Sequence, residues 1–347
     1  MTRVTLLCGF AAFTLSAPGY AQTPQLHVVP TNLPGVHAFT QPPAGFDART
    51  APSVDLESWG YPPRPDPSVG PQAQADWLRT VNPAVRRVVP NLVQKPGVYH
   101  RPASALKLTS IAAGQKNATA TSSNWSGYAL YSASLQYNSV SASWIVPAVQ
   151  QAPGTCDGGW DYSSQWVGID GFGNSQLLQA GTQAMVYCNS GVGPSSVQEY
   201  VPWIEWLPNS EITLETALSK PVSAIPVQAG DYVTVTVTAT NFSAGKSTSG
   251  IIVFVDNTQG WGFSIGFTAS ALGGTYVSGQ SAEWIVERPE VGGSFATLPD
   301  YFADPFYGST ATRSGVASHY TPGIPGTATA YNITMVDNSN NPVSYVQ

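Results

Sequence analysis

The chain has 347 residues, of which only 10% are charged and 11% aromatic, with 33 Gly and 29 Pro. Helix formers are scarce and Thr, Val, Ser and Tyr dominate the second half, which predicts a β-rich extracellular protein. A net charge of −6 speaks against nucleic acid as a partner.

In chain order, residues 1–21 read as a secretory signal: Arg3, the apolar run Val4–Phe13, then small residues up to Tyr20-Ala21. That run is too short to span a bilayer and no other approaches the length needed, so a secreted protein with no membrane partner is expected. Cys8 would leave with the signal. Cys156 and Cys188 remain, and in an oxidising compartment they are expected to pair, closing a loop of about 33 residues worth roughly 3–4 kcal/mol in the chain-entropy picture.

Residues 22–118 differ in character from the rest of the chain. Prolines cluster at Pro62-Pro63-Arg64-Pro65-Asp66-Pro67 and recur through Pro102, which disfavours regular structure. One helix is predicted within Pro71–Arg87, where Trp77, Leu78, Val81 and Val85 recur at helical spacing, although Pro83 weakens it. This stretch holds nine Lys/Arg against five Asp/Glu, a charge of +4, whereas residues 119–347 hold four against fifteen, a charge of −11. A basic, proline-rich leader ahead of an acidic domain reads as an inhibitory prosegment, with a linker or anchoring arm as the alternative.

From about Ala118 short strands and turns alternate. Strands are predicted at Trp125–Leu130, Ser141–Val146, Ser164–Ile169, Gln176–Tyr187, Glu199–Trp206, Glu211–Leu218, Tyr232–Ala239, Gly250–Val255, Gly262–Phe267, Glu283–Glu287 and Thr327–Met335. The implied fold class is all-β: an antiparallel, jelly-roll-like β-sandwich of two packed sheets over residues 119–347.

Ser281–Arg288 stands out. As a strand it puts Glu283, Ile285 and Glu287 on one face and Trp284 and Val286 on the other. Solvent-facing charges would explain the two acids, but charge is rare in this chain, and a buried carboxylate needs a partner. Familiar chemistries find little support. His319 is the only histidine after residue 118 and reads as a surface residue, and no serine sits in Gly-x-Ser-x-Gly. Paired His, Cys-x-x-Cys and acidic calcium loops are missing, no glycine loop cradles a phosphate, and Asp170 is followed by Gly171 instead of opening the Asp-Thr/Ser-Gly of pepsin-like peptidases.

Five stretches in register, Ser123-Asn-Trp-Ser-Gly127, Gln165-Trp-Val-Gly-Ile-Asp-Gly171, Leu177-Leu-Gln-Ala-Gly181, Trp203-Ile-Glu-Trp-Leu-Pro208 and Ala282-Glu-Trp-Ile-Val-Glu287, resemble the glutamic peptidases, or eqolisins. The Phe302-Ala-Asp304 segment extends the resemblance over nearly all of residues 120–347. It implies a secreted, acid-acting endopeptidase of protein or peptide substrates, built as a β-sandwich and needing no cofactor and no metal. The catalytic pair carries over to Gln179 and Glu287, cleft-lining groups to Trp166 and Asp170, and an acid beneath the cleft to Glu205, with Glu283 nearby. Gln183 stands where well-known fungal members carry an acid, and Arg288-Pro289 departs from the usual acid-aromatic continuation.

The implied chemistry is physically sound. A carboxylate can take a proton from attacking water and deliver it to the leaving nitrogen, while a neutral amide holds that water and donates to the oxyanion. Two other functions stay open. A glycoside hydrolase could use Glu205 with Glu287, but not Glu283 with Glu287, since four residues of strand span about 13 Å and such pairs stand roughly 5–9.5 Å apart. A carbohydrate-binding sandwich could stack sugars on Trp125, Trp160 and Trp261. A monomer is expected, with self-removal of the leader at low pH by cleavage between Ser110 and Ser123. Glycosylation sequons fall at Asn117, Asn124, Asn241 and Asn332.

Overall fold

The computed structural model describes residues 25–67, 71–108, 117–133, 136–152, 156, 158–188, 197–216, 227–301, 305–313, 316–319 and 328–337. The expected signal and Phe302-Ala-Asp304 lie outside them, as do residues 110–116 of the cleavage window.

Two large sheets pack face to face, and every strand predicted from Trp125 onward is present with its ends moved by a few residues. The first sheet has ten strands in the order 90–94, 212–216, 197–206, 178–187, 160–169, 281–287, 125–131, 329–335, 117–122 and 107–108. Neighbours run antiparallel except Thr329–Met335 with Asn117–Ser122. The second sheet is built around Tyr232–Thr240, which pairs with Ser249–Asp256 and Tyr137–Ile145. Its Val-Thr alternation explains that position. Val233, Val235 and Val237 enter the core, while Thr234, Thr236 and Thr238 pair their hydroxyls with Ser143, Ser141 and Ser139 at 2.8, 2.8 and 3.0 Å. Val167, Ile169, Ala180, Ile204 and Trp284 of the first sheet meet the valines across the interface.

Cys156 and Cys188 are joined by a disulfide, with Cα atoms 5.4 Å apart. Asn124 is fully buried and hydrogen-bonded, so its sequon is closed to a glycan in this fold.

The proline-rich leader is more regular than its composition predicts. Val36–Phe39 pairs with Trp261–Thr268 beside the second sheet, Pro90–Gln94 closes one edge of the first sheet, and Lys107–Leu108 closes the other. Proline is excluded from central strands but tolerated at edges, where its missing N–H breaks no ladder. The predicted helix spans Pro71–Thr80: Pro71 suits a first helical position, and the helix stops ahead of Pro83. The Pro62–Pro67 run is held by donors from this helix, Trp77 Nε1 to the Pro62 carbonyl at 2.9 Å and Gln74 Nε2 to the Pro65 carbonyl at 2.7 Å.

Candidate active site

The central strand of the first sheet, Trp160–Ile169, fixes the site. Gly168 lies opposite Gln179 on one side and Glu283 on the other, and Ser164 lies opposite Gln183 and Glu287. Gln179 in turn pairs with Glu205. Strand parity therefore puts Trp166, Gln179, Glu205, Glu283 and Glu287 on one face, the face turned away from the sandwich core. Gly181 of Leu-Leu-Gln-Ala-Gly is required by close approach: a Cβ there would stand 2.6 Å from the Cβ of Trp166 and 2.0 Å from the Gln165 carbonyl oxygen.

That face is covered by the leader, whose residues 99–103 cross it as a strap. Four successive backbone groups of the strap are held by side chains of the sheet. His100 N–H donates to Glu205 Oε2 at 2.8 Å, and its carbonyl accepts from Gln179 Nε2 at 2.8 Å. Arg101 N–H donates to Glu287 Oε1 at 2.9 Å, and its carbonyl accepts from Trp125 Nε1 at 2.9 Å and Asn124 Nδ2 at 3.3 Å. Gln179 and Glu287 stand four residues apart in register along the central strand, yet they meet the two ends of one peptide unit. Arg101 is also anchored by Glu290 at 2.8 Å and lies over the Tyr99 ring.

The His100 ring is fully buried, stacked on Trp203 with centroids 3.5 Å apart. Nε2 lies 2.8 Å from Glu211 Oε2 and Nδ1 lies 3.1 Å from Glu287 Oε2. Burial opposes its charge, but the bonds to Glu211 and then Glu287 outweigh burial and raise its pKa to about 10. The ring is thus an imidazolium among carboxylates. Glu287 has all four acceptor positions taken: Trp166 Nε1 at 2.8 Å shares Oε2 with His100, and Asn124 Nδ2 at 3.4 Å shares Oε1 with Arg101. Burial pushes the Glu287 pKa up, opposed by the His100 bond and charge, the Arg101 N–H and Trp166. Glu205 is pushed well up by burial, against the charge and backbone N–H of His100.

The other expected site residues are placed differently. Glu283 is buried toward the Asp170 end, where burial first and the Asp170 charge as a lesser cause push its pKa well up. Asp170 ties the 278–280 loop, accepting from the backbone N–H groups of Ser278, Gly279 and Gln280. Gln183 accepts from Ser164 Oγ at 3.2 Å. Trp125 and Trp261 are buried and Trp160 half-buried, so the three do not form an exposed platform for sugars.

The Peptidase A4 family model matches residues 123–346, the span that carries Trp166, Gln179, Glu205 and Glu287 but not the strap at 99–103. The chain belongs to the Peptidase A4 family. Among Peptidase A4 relatives, Aspergillopepsin-2 of Aspergillus niger is 30% identical over 210 residues, 56% of this chain and 66% of that protein. The match thus spans just under two thirds of the relative's length. A solved structure, the enzymatically active domain of tailspike protein 2 of bacteriophage CBA120, is 13% identical with a TM-score of 0.26, covering 64% of this chain and 29% of that one. A likeness that small carries no argument.

Within this Peptidase A4 site, sequence reading missed His100, Glu211, Trp203 and Asn124. The signal available was weak: a histidine beside an arginine in a basic leader, and an Asn and a Trp inside motifs already noted. Beside the strap an open groove of about 830 Å³ continues past Val98, Glu211, Gln183 and Tyr162.

Proposed function

We propose that the chain is the precursor of a secreted, acid-acting glutamic endopeptidase. Glu287 is the general base and then the general acid, and Gln179 holds the water and stabilises the oxyanion. The observation that carries this reading is the single peptide unit of the strap, with its carbonyl on Gln179 and its nitrogen on Glu287. Those are the two atoms whose charge and proton change when a peptide bond is hydrolysed. Trp166 donates to Glu287, which orients the carboxylate, and Glu205 takes the preceding N–H. The scheme draws on side chains of one chain, so a monomer suffices and no cofactor enters it.

The leader acts as inhibitor, because its strap fills the cleft and saturates Glu287. On acidification the acidic domain as a whole loses the carboxylate charge that attracts the basic leader, and the enzyme removes the leader by cutting between Ser110 and Ser123. Incubation of the secreted protein at acid pH with casein and, separately, with polysaccharides tests the reading. Casein should be degraded and polysaccharides left whole, and a Glu287→Gln variant should leave both. Polysaccharide cleavage without casein cleavage would favour Glu205 with Glu287 as a glycosidase pair.

A further inference from the structure

The strap is more than an obstruction. Peptide hydrolysis needs a carbonyl on a donor, the leaving nitrogen near a proton source, and a water between the catalytic carboxylate and the carbonyl carbon. The His100–Arg101 unit meets the first two needs, with its carbonyl 2.8 Å from Gln179 Nε2 and its nitrogen 2.9 Å from Glu287 Oε1. The flanking groups are held as well, His100 N–H by Glu205 and the Arg101 carbonyl by Trp125. What departs from a productive complex is the His100 ring. Its Nδ1 takes Glu287 Oε2, and with Trp166, Arg101 and Asn124 it leaves the base no acceptor for a water. The other water-holding atom is ready: Gln179 Oε1 is buried with no hydrogen bond.

We propose that the strap lies in the cleft in the substrate direction, with His100–Arg101 at the position of the bond to be cut, and that the His100 imidazole spares this bond by occupying the side of Glu287 that must hold water. This rests on the Gln179/Glu287 reading and adds what that reading does not contain. The bed of Trp203, Glu205 and Glu211 is the subsite for the residue on the N-terminal side of the cut. Trp203 stacks on a planar side chain, and Glu211 receives its polar edge. Asn124 and Trp125 hold the carbonyl of the residue after the cut. A planar ring that keeps the stack but has no nitrogen to offer Glu287 turns the inhibitor into a substrate. Water oxygen then adds to the carbonyl carbon of residue 100 while Glu287 takes its proton. The C–N bond breaks, the proton passes to the Arg101 nitrogen, and residue 100 ends as a carboxyl group with Arg101 as a free amine.

The test compares His100→Phe with wild type. Purified precursors are brought from pH 7 to pH 3.5 and their new N-termini read. The variant should show a terminus at Arg101 that wild type lacks, and His100→Phe combined with Glu287→Gln should show none. A variant that misfolds is bypassed by peptides in trans. A peptide of residues 97–103 should inhibit the matured enzyme competitively and stay whole, whereas the same peptide with His100→Phe should be cut before Arg101 about 10²-fold faster or more, the worth of a freed general base. Equal cutting of both peptides, or cutting of the Phe peptide at another bond, overturns the proposal. Casein separates the two levels: casein degraded with the Phe peptide whole overturns the strap's direction alone. Casein left whole overturns the dyad reading and this proposal with it.

Discussion

Alternate residues of the same strands face two different environments in the ten-stranded sheet. Turned inward, Val167, Ile169, Ala180, Ile204 and Trp284 join the sandwich core. Turned outward, Trp166, Gln179, Glu205 and Glu287 are just as buried, but against a strap of their own leader. The inner residues are held by loss of water contact, which any apolar filler of similar volume can supply. The outer ones are held by pairing, which depends on one imidazole and four backbone groups contributed by the distant leader. Burial alone therefore does not separate a face held by packing from a face held by pairing; the partner does.

Substitutions on the two faces should separate activity from stability. The largest expected effect is on the outer face. Glu287→Gln, freed of its leader in trans by wild-type enzyme that is then removed, should lower peptide hydrolysis about 10²–10⁴-fold while leaving the melting temperature within a few degrees; a variant with full activity would remove Glu287 from the mechanism. Trp284→Ala on the inner face should do the reverse. It should cost about 3–5 kcal/mol of stability, read by chemical denaturation, with kcat per folded molecule retained. Gln179→Ala should lower kcat about 10²–10³-fold through the oxyanion. Glu283→Gln should act more mildly, since Glu283 makes no hydrogen bond to the strap among the described residues; a larger loss there than at Glu287 would shift the catalytic register by four residues.

The smallest effect sharpens the comparison through pH. His100 titrates near 6.5 in a free chain and at about 10 in the strap. Its contribution to closure is therefore complete below about pH 6.5 and is lost as pH rises through 10. On the acid side the site's own sign is set by Glu287. Burial, the largest cause, pushes its pKa up, while His100 and Arg101 hold it down, and all three depend on the strap. The net shift in the closed cleft is upward, so an opened, solvated Glu287 binds its proton less tightly, and this group by itself favours closure as pH falls. Glu205, pushed well up by burial against the His100 charge and N–H, acts in the same direction. Release of the leader by acid therefore rests on the wider loss of carboxylate charge across residues 119–347, which carry −11 against the leader's +4. Chymotrypsin cleavage after Tyr99, normalised to an unfolded chain at each pH, should accelerate between pH 7 and 10; a flat profile would show that the imidazolium does not hold the strap.

Much of the fold and part of the site are legible from residues alone. Val-Thr alternation in Tyr232–Thr240 and the motif strands around Gln179 and Glu287 report their own periodicity, because a strand's two faces are written in its local sequence. The outward acids are identifiable as unusual but not as buried, since burial is supplied by residues 99–103 and no local pattern encodes that contact. His100 and Glu287 are 187 positions apart. The edge strands of the leader are hidden for a related reason: an edge strand satisfies one neighbour only, so Pro90–Gln94 needs neither strong β propensity nor freedom from proline. Asn117–Ser122, with Ala, Thr and Ser alone after its Asn, carries too little apolar contrast to announce a strand.

The central claim is that one chain holds both a Gln179/Glu287 peptidase cleft and the leader that closes it. It is tested most directly by bringing purified wild-type and Glu287→Gln precursors from pH 7 to pH 3.5 and tracking mass, N-terminal sequence and peptide hydrolysis together. Wild type should lose its leader by a cut between Ser110 and Ser123 and gain activity as it does so, while the variant stays whole and inactive. A variant that matures as fast as wild type, with no other protease present, would contradict the account.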